Sequence, residues 1–209
     1  MTGDPSPVPP ASDVVTRFRR WLEAQGLPDD RHPSDGRPGS DRSDPHGVMQ
    51  LLLELLRSNL EQWELEDVTR IPGVDDATVA GAKRSIDRHN LERHRLAERV
   101  DAVINAALIQ SATATPSTES PAMAFDRLSV LAIRLDRTHR AARMAANSEG
   151  DFRSRLLRLN DQVDGLATAI DALLDDVRAG RRRFVPYEHL KLYAPEASRP
   201  TRADGTRRG

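Results

Sequence analysis

The sequence predicts an all-α protein, an antiparallel bundle of four long helices with a short N-terminal helix and disordered tails. Apolar residues recur at steps of three and four over long stretches, as on one face of a helix. Proline and glycine punctuate these stretches. Only 4% of the 209 residues are aromatic, so Leu, Val, Ile and Ala must fill the core. This composition suits packed helices better than a β-sandwich.

Composition also narrows the classes of function. The net charge is −1, which gives no overall field for nucleic acid or a membrane surface. The absence of cysteine excludes disulfides, thiolate metal sites and a cysteine nucleophile. The N-terminus lacks the basic start and apolar run of a signal peptide, and no apolar stretch reaches the ~20 residues that span a bilayer. We therefore expect a cytoplasmic protein without membrane insertion.

The N-terminal part predicts one short element. Residues 1–11 are rich in proline and predict a disordered tail. Ser12 is the expected N-cap of a short amphipathic helix over 12–26 that buries Val14 and Phe18. The Pro-, Gly- and Ser-rich stretch 27–47 predicts a flexible loop.

The next two helices form a hairpin. The second helix is expected from Pro45 to Arg70, with leucines on more than one face. Pro72 and Gly73 break the chain, and Asp75 or Asp76 caps a third helix that reaches Gln110.

The C-terminal half predicts two more helices. Ser120 followed by Pro121 is a strong helix start, and this fourth helix should end near Ala146. A fifth helix is expected over 152–179, then an extended segment. We predict no strand, a bundle domain over 48–195 and a disordered basic tail over 196–209.

Charged and amide side chains interrupt the faces that should be buried. On the third helix Arg93 falls in the middle of the apolar stripe, and Asp126 shares an apolar face of the fourth helix. Buried charges must meet one another or a ligand. The candidate site, either a buried polar network or a ligand-binding site, comprises Trp63, Glu66, Asp67, Arg70, Lys83, Asp87, Asn90, Arg93, Asp126, Arg127, Tyr187, Lys191 and Tyr193.

This cluster has two interpretations. One is a network of ion pairs that fixes helix register, and the other is a polar pocket between helices. The main prediction includes no metal and no cofactor. As an alternative, Asp67, Asp87 and Asp126 are oxygen donors suited to Mg²⁺ or Mn²⁺, while the neighbouring cations could bind phosphate.

Two weaker signals come from groups of charged residues. Glu61 with Glu64 and Glu98 with Asp101 have the spacing of paired acidic motifs in all-helical nucleoside-triphosphate pyrophosphohydrolases, although such spacing is common on solvated helices. Arg181–Arg183 follow a helix C-terminus, where cations offset the helix dipole. In a nearly neutral chain they are a weak signal for nucleic acid.

Three ordered blocks resemble a bacterial family of uncharacterised proteins, the "domain of unknown function 4254" family. The first runs from Trp63 through Lys83 and Asp87 to Arg93, the second from Glu119 through Asp126 to Arg134, and the third comprises Gly180, Tyr187, Lys191 and Tyr193. The chain departs from the family pattern at Glu64, Ala122 and Ala194-Pro195. The resemblance implies no activity, and only an association with glycan and cell-envelope genes.

Two functions follow as hypotheses. The first is a module that binds a small ligand or a protein partner, for which the resemblance suggests an accessory role in glycan or cell-envelope metabolism. The second is a metal-dependent enzyme acting on a phosphate-containing substrate, such as a nucleotide or nucleotide sugar. A homodimer formed through leftover apolar surface of the second and fifth helices is a further expectation.

Overall fold

The computed structural model describes residues 8–25, 47–145 and 149–190 and confirms the predicted helical bundle. Its helices are α1 (Ala11–Ala24), α2 (Val48–Thr69), α3 (Asp76–Ala107), α4 (Pro121–Met144) and α5 (Glu149–Arg178). The chain pairs α2 with α3 and α4 with α5. Helix α4 also packs on α2 and α3, and α1 packs against α4 and α5.

A single core joins the helices that the structure describes. Phe18 of α1, Leu52 of α2 and Phe125 of α4 are completely buried in it. Ile104 of α3 and Leu174 of α5 complete the same cluster. The leucines on the second side of α2, Leu51 and Leu55, are also buried in this core.

The start of α1 differs from the prediction. The helix begins at Ala11, after Pro10, and Ser12 is not its cap. Instead, Asp171 of α5 accepts a hydrogen bond from the Ala11 backbone N–H at 2.8 Å. Val8 and Ala11 are buried, so the end of the predicted tail belongs to the core. The remainder of that tail, the predicted loop apart from Gly47, and the predicted C-terminal tail lie outside the described residues.

Helices α3 and α4 begin at the predicted cap residues. Asp75 accepts a hydrogen bond from the Thr78 backbone N–H at 2.9 Å, and Ser120 accepts one from Met123 at 3.4 Å. Helix α3 ends earlier than predicted because Leu108 adopts an extended backbone conformation.

The expectation of no strand was wrong. Strand β1 (Thr115–Pro116) pairs in parallel with β2 (Arg182–Arg183). The reversal after α5 uses Gly180, whose φ of 70° favours glycine. This short pairing ties the chain after α5 to the α3–α4 connection. Among the described residues, no helix is long and apolar enough to cross a membrane.

Candidate functional site

The chain after β2 lies along α3 as a strap, which we define as residues 184–190. Three backbone N–H groups of the strap donate to side chains of the α3 region. Phe184 donates to Gln110 Oε1 at 2.7 Å, Tyr187 to Asp101 Oδ2 at 2.8 Å, and His189 to Glu98 Oε1 at 2.6 Å. The strap has no helix or strand of its own, so side chains take the place of a backbone ladder.

Asp101 joins three parts of the fold. Its side chain is fully buried, and while one oxygen binds the strap, the other accepts the Ala122 N–H at 2.8 Å in the first turn of α4. Burial raises the pKa of this carboxyl, and hydrogen bonds from Ser120, Tyr187 and Ala122 act in the opposite direction. The acidic pair Glu98 and Asp101 therefore serves as an acceptor of backbone hydrogen bonds.

The aromatic part of the strap meets one histidine of α3. Tyr187 Oη lies 2.7 Å from His94 Nδ1. The imidazole rings of His94 and His189 are stacked, with centroids 4.0 Å apart and planes 11° apart. Together these contacts fix the orientation of His94 on the side of α3 that the strap covers.

A buried polar cluster lies between α2 and α4. Asn59 Nδ2 donates to Asp126 Oδ1 at 2.8 Å and to Ser129 Oγ at 2.7 Å. Ser129 donates in turn to the Asp126 carbonyl at 2.7 Å. The Asn59 amide thus occupies one oxygen of the Asp126 carboxylate.

Arg93 extends this cluster towards the strap. Its Nε lies 3.9 Å from Asp126 Oδ1, beyond hydrogen-bonding distance, and its side chain is 26% exposed. The charges of Arg93, Asp126 and Glu98 act on both His94 and Tyr187, which places these groups near one another. We call Asn59, Arg93, His94, Asp126 and Tyr187 the Arg93 site.

Electrostatics at this site favour a neutral imidazole. Burial lowers the pKa of His94, and the charges of His189 and Arg93 lower it further, while Asp126 and Glu98 oppose them. Burial also raises the pKa of the Tyr187 hydroxyl. At neutral pH His94 can therefore accept the Tyr187 hydroxyl hydrogen through Nδ1.

A pH-dependent stability follows from the lowered pKa of His94. Its neutral form is favoured in the folded protein, so its contribution is complete above the ordinary histidine pKa of about 6.5 and declines as pH falls below that value. We expect urea titrations at pH 7.5 and 5.5 to show a smaller stability loss in His94→Gln than in wild type. His139→Gln, which changes an exposed histidine, should keep the wild-type loss. Equal losses in all three proteins would contradict the assignment.

Several predicted residues do not face inward, and that part of the prediction was wrong. Arg70 pairs with Glu66 at 3.0 Å and with Asp67 at 3.3 Å along α2. Lys83 pairs with Asp87 at 2.9 Å along α3. All of these side chains are more than 40% exposed. Such pairs between neighbouring turns of one helix stabilise it only slightly.

The remaining predicted residues differ in their burial and in their partners. Trp63 is half-buried and packs against the core, and Asn90 is half-buried. Arg127 is exposed and pairs with Glu119 at 2.6 Å. Lys191 and Tyr193 lie outside the described residues. The structure therefore brings together Arg93, Asp126 and Tyr187 from the predicted set.

The alternative metal site does not form as predicted. Asp67 and Asp87 each meet a cation on their own helix, whereas Asp126 meets Asn59. Within the ranges that the structure describes, no group of three or more His, Asp or Glu side chains could hold a metal ion. Of the other acidic pair, Glu61 meets His89 at 3.3 Å and Glu64 meets Arg137 at 2.6 Å.

Sequence reasoning missed the partners of the strap. From the sequence, His94 and His189 have no predicted role, and Glu98 and Asp101 are predicted only as an acidic pair. One signal was available, because His94, Glu98 and Asp101 follow at steps of four and three and so share one side of a helix. That polar stripe is the surface on which the strap lies.

Comparison with known proteins identifies the family. Residues 49–185 match the model of a family described as "Protein of unknown function (DUF4254)". The matched range contains α3, α4, α5 and nearly all of α2, together with every residue of the Arg93 site except Tyr187. The searches of curated proteins and of solved structures found no match. Since the family model covers well over half of the 209 residues, the chain belongs to the DUF4254 family of proteins of unknown function.

Proposed function

We propose that this protein is a binding module for a small polar ligand, one that carries a phosphate or carboxylate group beside hydroxyl groups. A sugar phosphate has this chemistry. The observation that carries the proposal is the guanidinium of Arg93. It is partly buried, its nearest carboxylate atom is 3.9 Å away, and no other described residue takes a hydrogen bond or ion pair from it.

An arginine in this state suits an anion. Its planar guanidinium presents parallel N–H groups that can bind two oxygens of a phosphate or carboxylate. The side chain is held between α3 and α4 and is partly withdrawn from solvent, where a charge-assisted hydrogen bond is stronger than at an open surface. A bound anion would accept the hydrogen bonds of the Arg93 guanidinium that Asp126 is too distant to accept.

The surrounding groups suit hydroxyls. Asp126 uses Oδ1 to accept from Asn59, which leaves Oδ2 as an acceptor for a ligand hydroxyl. The Tyr187 hydroxyl and the His94 imidazole, whose neutral form is favoured, are close enough to feel the Arg93 charge and add polar atoms that can donate or accept. The DUF4254 family is associated with glycan genes, and this association favours a sugar over other polyhydroxy compounds.

Thermal denaturation with four probes tests this proposal. The probes are glucose 1-phosphate, UDP-glucose, glucose and inorganic phosphate, each with and without Mg²⁺. A ligand of the folded state raises the melting temperature by mass action. We expect a sugar phosphate to raise it more than glucose or phosphate alone, because only the sugar phosphate satisfies both Arg93 and Asp126.

Matched variants assign the effect to Arg93. Arg93→Met should remove the stabilisation by the sugar phosphate, and Arg95→Met, which changes an exposed arginine two residues away, should preserve it. No stabilisation by either sugar phosphate, or equal stabilisation of both variants, would overturn the proposal. A response that requires Mg²⁺ would favour the metal-dependent alternative instead.

A further inference from the structure

A cavity lies where α1 meets α4 and α5. The cavity has a volume of about 400 Å³, within the range of small-molecule sites. Its apolar floor comes from Leu22 of α1 and from Ala132 and Leu135 of α4, all of which belong to the core. None of the five residues that define the Arg93 site lines this cavity.

The wall of the cavity contains a half-buried ion pair. Arg140 Nε lies 2.7 Å from Asp136 Oδ2, and Arg140 Nη2 also donates to the Leu22 carbonyl at 2.7 Å, in the last turn of α1. The Asp136 charge and this carbonyl at the negative end of the helix occupy the Arg140 guanidinium. Arg140 therefore acts as the fixed connection between α1 and α4.

Two other arginines lining the cavity remain available. Arg19 of α1 donates to the Asn160 side-chain carbonyl at 3.2 Å but forms no ion pair with a described residue. Arg143 of α4 is exposed, and the described part of the chain offers it neither a hydrogen bond nor an ion pair. His139 lies one turn before Arg143 along α4 and adds a third basic group.

We propose that this cavity binds a small amphipathic anion, a phosphate or carboxylate joined to an aromatic or short aliphatic body. The body would cover Leu22, Ala132 and Leu135, and the anionic group would meet Arg19 and Arg143. Apolar contact supplies affinity here, while the two guanidinium groups fix the orientation of the anion. The chemistry differs from that of the Arg93 site, where the Asp126 carboxylate is available to hydroxyls.

The cavity also depends on a part of the chain that the family model does not match. Helix α1 lies outside residues 49–185, and it supplies Arg19, Leu22 and Glu23. The inference is therefore independent of the function proposed for the Arg93 site. Ligand binding at one site could fail without affecting the other.

Suitable probes are phenyl phosphate, phenol and inorganic phosphate. Phenol lacks the phosphate group of phenyl phosphate, and inorganic phosphate lacks its aromatic ring. We expect calorimetric titration of the full chain to show binding of phenyl phosphate and much weaker binding of phenol and phosphate. In amide NMR spectra of the wild-type protein, phenyl phosphate should shift signals of Leu22, Ala132 and His139. Binding should persist in Arg93→Met.

The double variant Arg19→Gln/Arg143→Gln tests the anion contacts. Both side chains are exposed, so the fold should be retained, and the affinity for phenyl phosphate should fall about tenfold or more. Arg134→Gln on α4, which changes an exposed arginine that does not line the cavity, should leave it unchanged. Three results would each overturn the proposal: no binding of phenyl phosphate, phenol binding of equal strength, or the same affinity in the double variant as in wild type.

Discussion

Asp101→Ala is expected to lower the free energy of unfolding by about 3 kcal/mol or more. The substitution removes the acceptor of two backbone N–H groups, Ala122 in α4 and Tyr187 in the strap. A buried donor left without a partner destabilises by about 1–3 kcal/mol, and bonds to a charged acceptor lie at the upper end of this range. The Asp101 side chain is fully buried, so little water is available to replace the carboxylate.

Urea denaturation followed by circular dichroism measures this effect. Asp101→Asn should be intermediate, because one amide oxygen can still accept while the amide NH₂ group faces an N–H donor. Asp87→Ala, which changes an exposed aspartate of the same helix, should cost less than about 0.5 kcal/mol. The assignment of Asp101 would be wrong if its alanine variant were no less stable than Asp87→Ala.

The helices were predictable because their signals are local. The cap of α3 at Asp75 and the start of α4 at Ser120-Pro121 depend on side chains within one turn of the helix end. The start of α1 was not predictable in the same way. Its first N–H is bound by Asp171, 160 residues away in the sequence, and no local pattern reports such a contact.

The candidate site was predictable only where the helix face is covered. The sequence placed both Arg93 and Lys83 in the candidate site, but only Arg93 lies against α4. Between residues 61 and 95 only Ala82 and Ile86 are buried, so this end of the α2–α3 hairpin is covered by few neighbours. The periodicity of a helix gives the direction of a side chain, and the extent of its neighbours decides whether that side chain is buried.

The strap could not be anticipated from pattern. It depends on a strand pairing of two residues on each side and on side-chain acceptors along α3. The strand pairing has no periodic signal, because a two-residue strand has no alternation to detect. The spacing of Glu98 and Asp101 marks one side of α3 but does not indicate what covers it. The resemblance to the family grouped Tyr187 with Arg93 and Asp126 without explaining why, and the strap supplies the physical reason, since it carries Tyr187 to His94.

Asn59→Asp is expected to destabilise the protein at pH 7 by about 3 kcal/mol or more. The substitution preserves the size of the side chain and replaces the donor that lies 2.8 Å from Asp126 Oδ1 with a carboxylate. Asn59 is 6% exposed, so the two charges would be close together with little water between them. Arg93, at 3.9 Å from the same oxygen, offsets only part of the repulsion.

The sign of the pH dependence separates this mechanism from a simple packing defect. Two adjacent carboxylates raise the pKa of one of them, so the folded variant binds a proton more readily than its unfolded chain. The stability difference between wild type and Asn59→Asp should therefore shrink as pH falls from 7 to 5. Asn105→Asp, at an exposed position of α3, should cost under about 1 kcal/mol.

Arg93 provides an internal check on this argument. If its charge stabilises the paired carboxylates, Asn59→Asp combined with Arg93→Met should lose more stability at pH 7 than the two single losses added together. This excess should decrease at pH 5, where one carboxylate is protonated. A stability loss of Asn59→Asp that did not change with pH would show that Asn59 and Asp126 are not coupled as the structure indicates. The orientation of the Asp126 carboxylate would then be wrong, and the proposal that its Oδ2 accepts from a ligand hydroxyl would lose its basis.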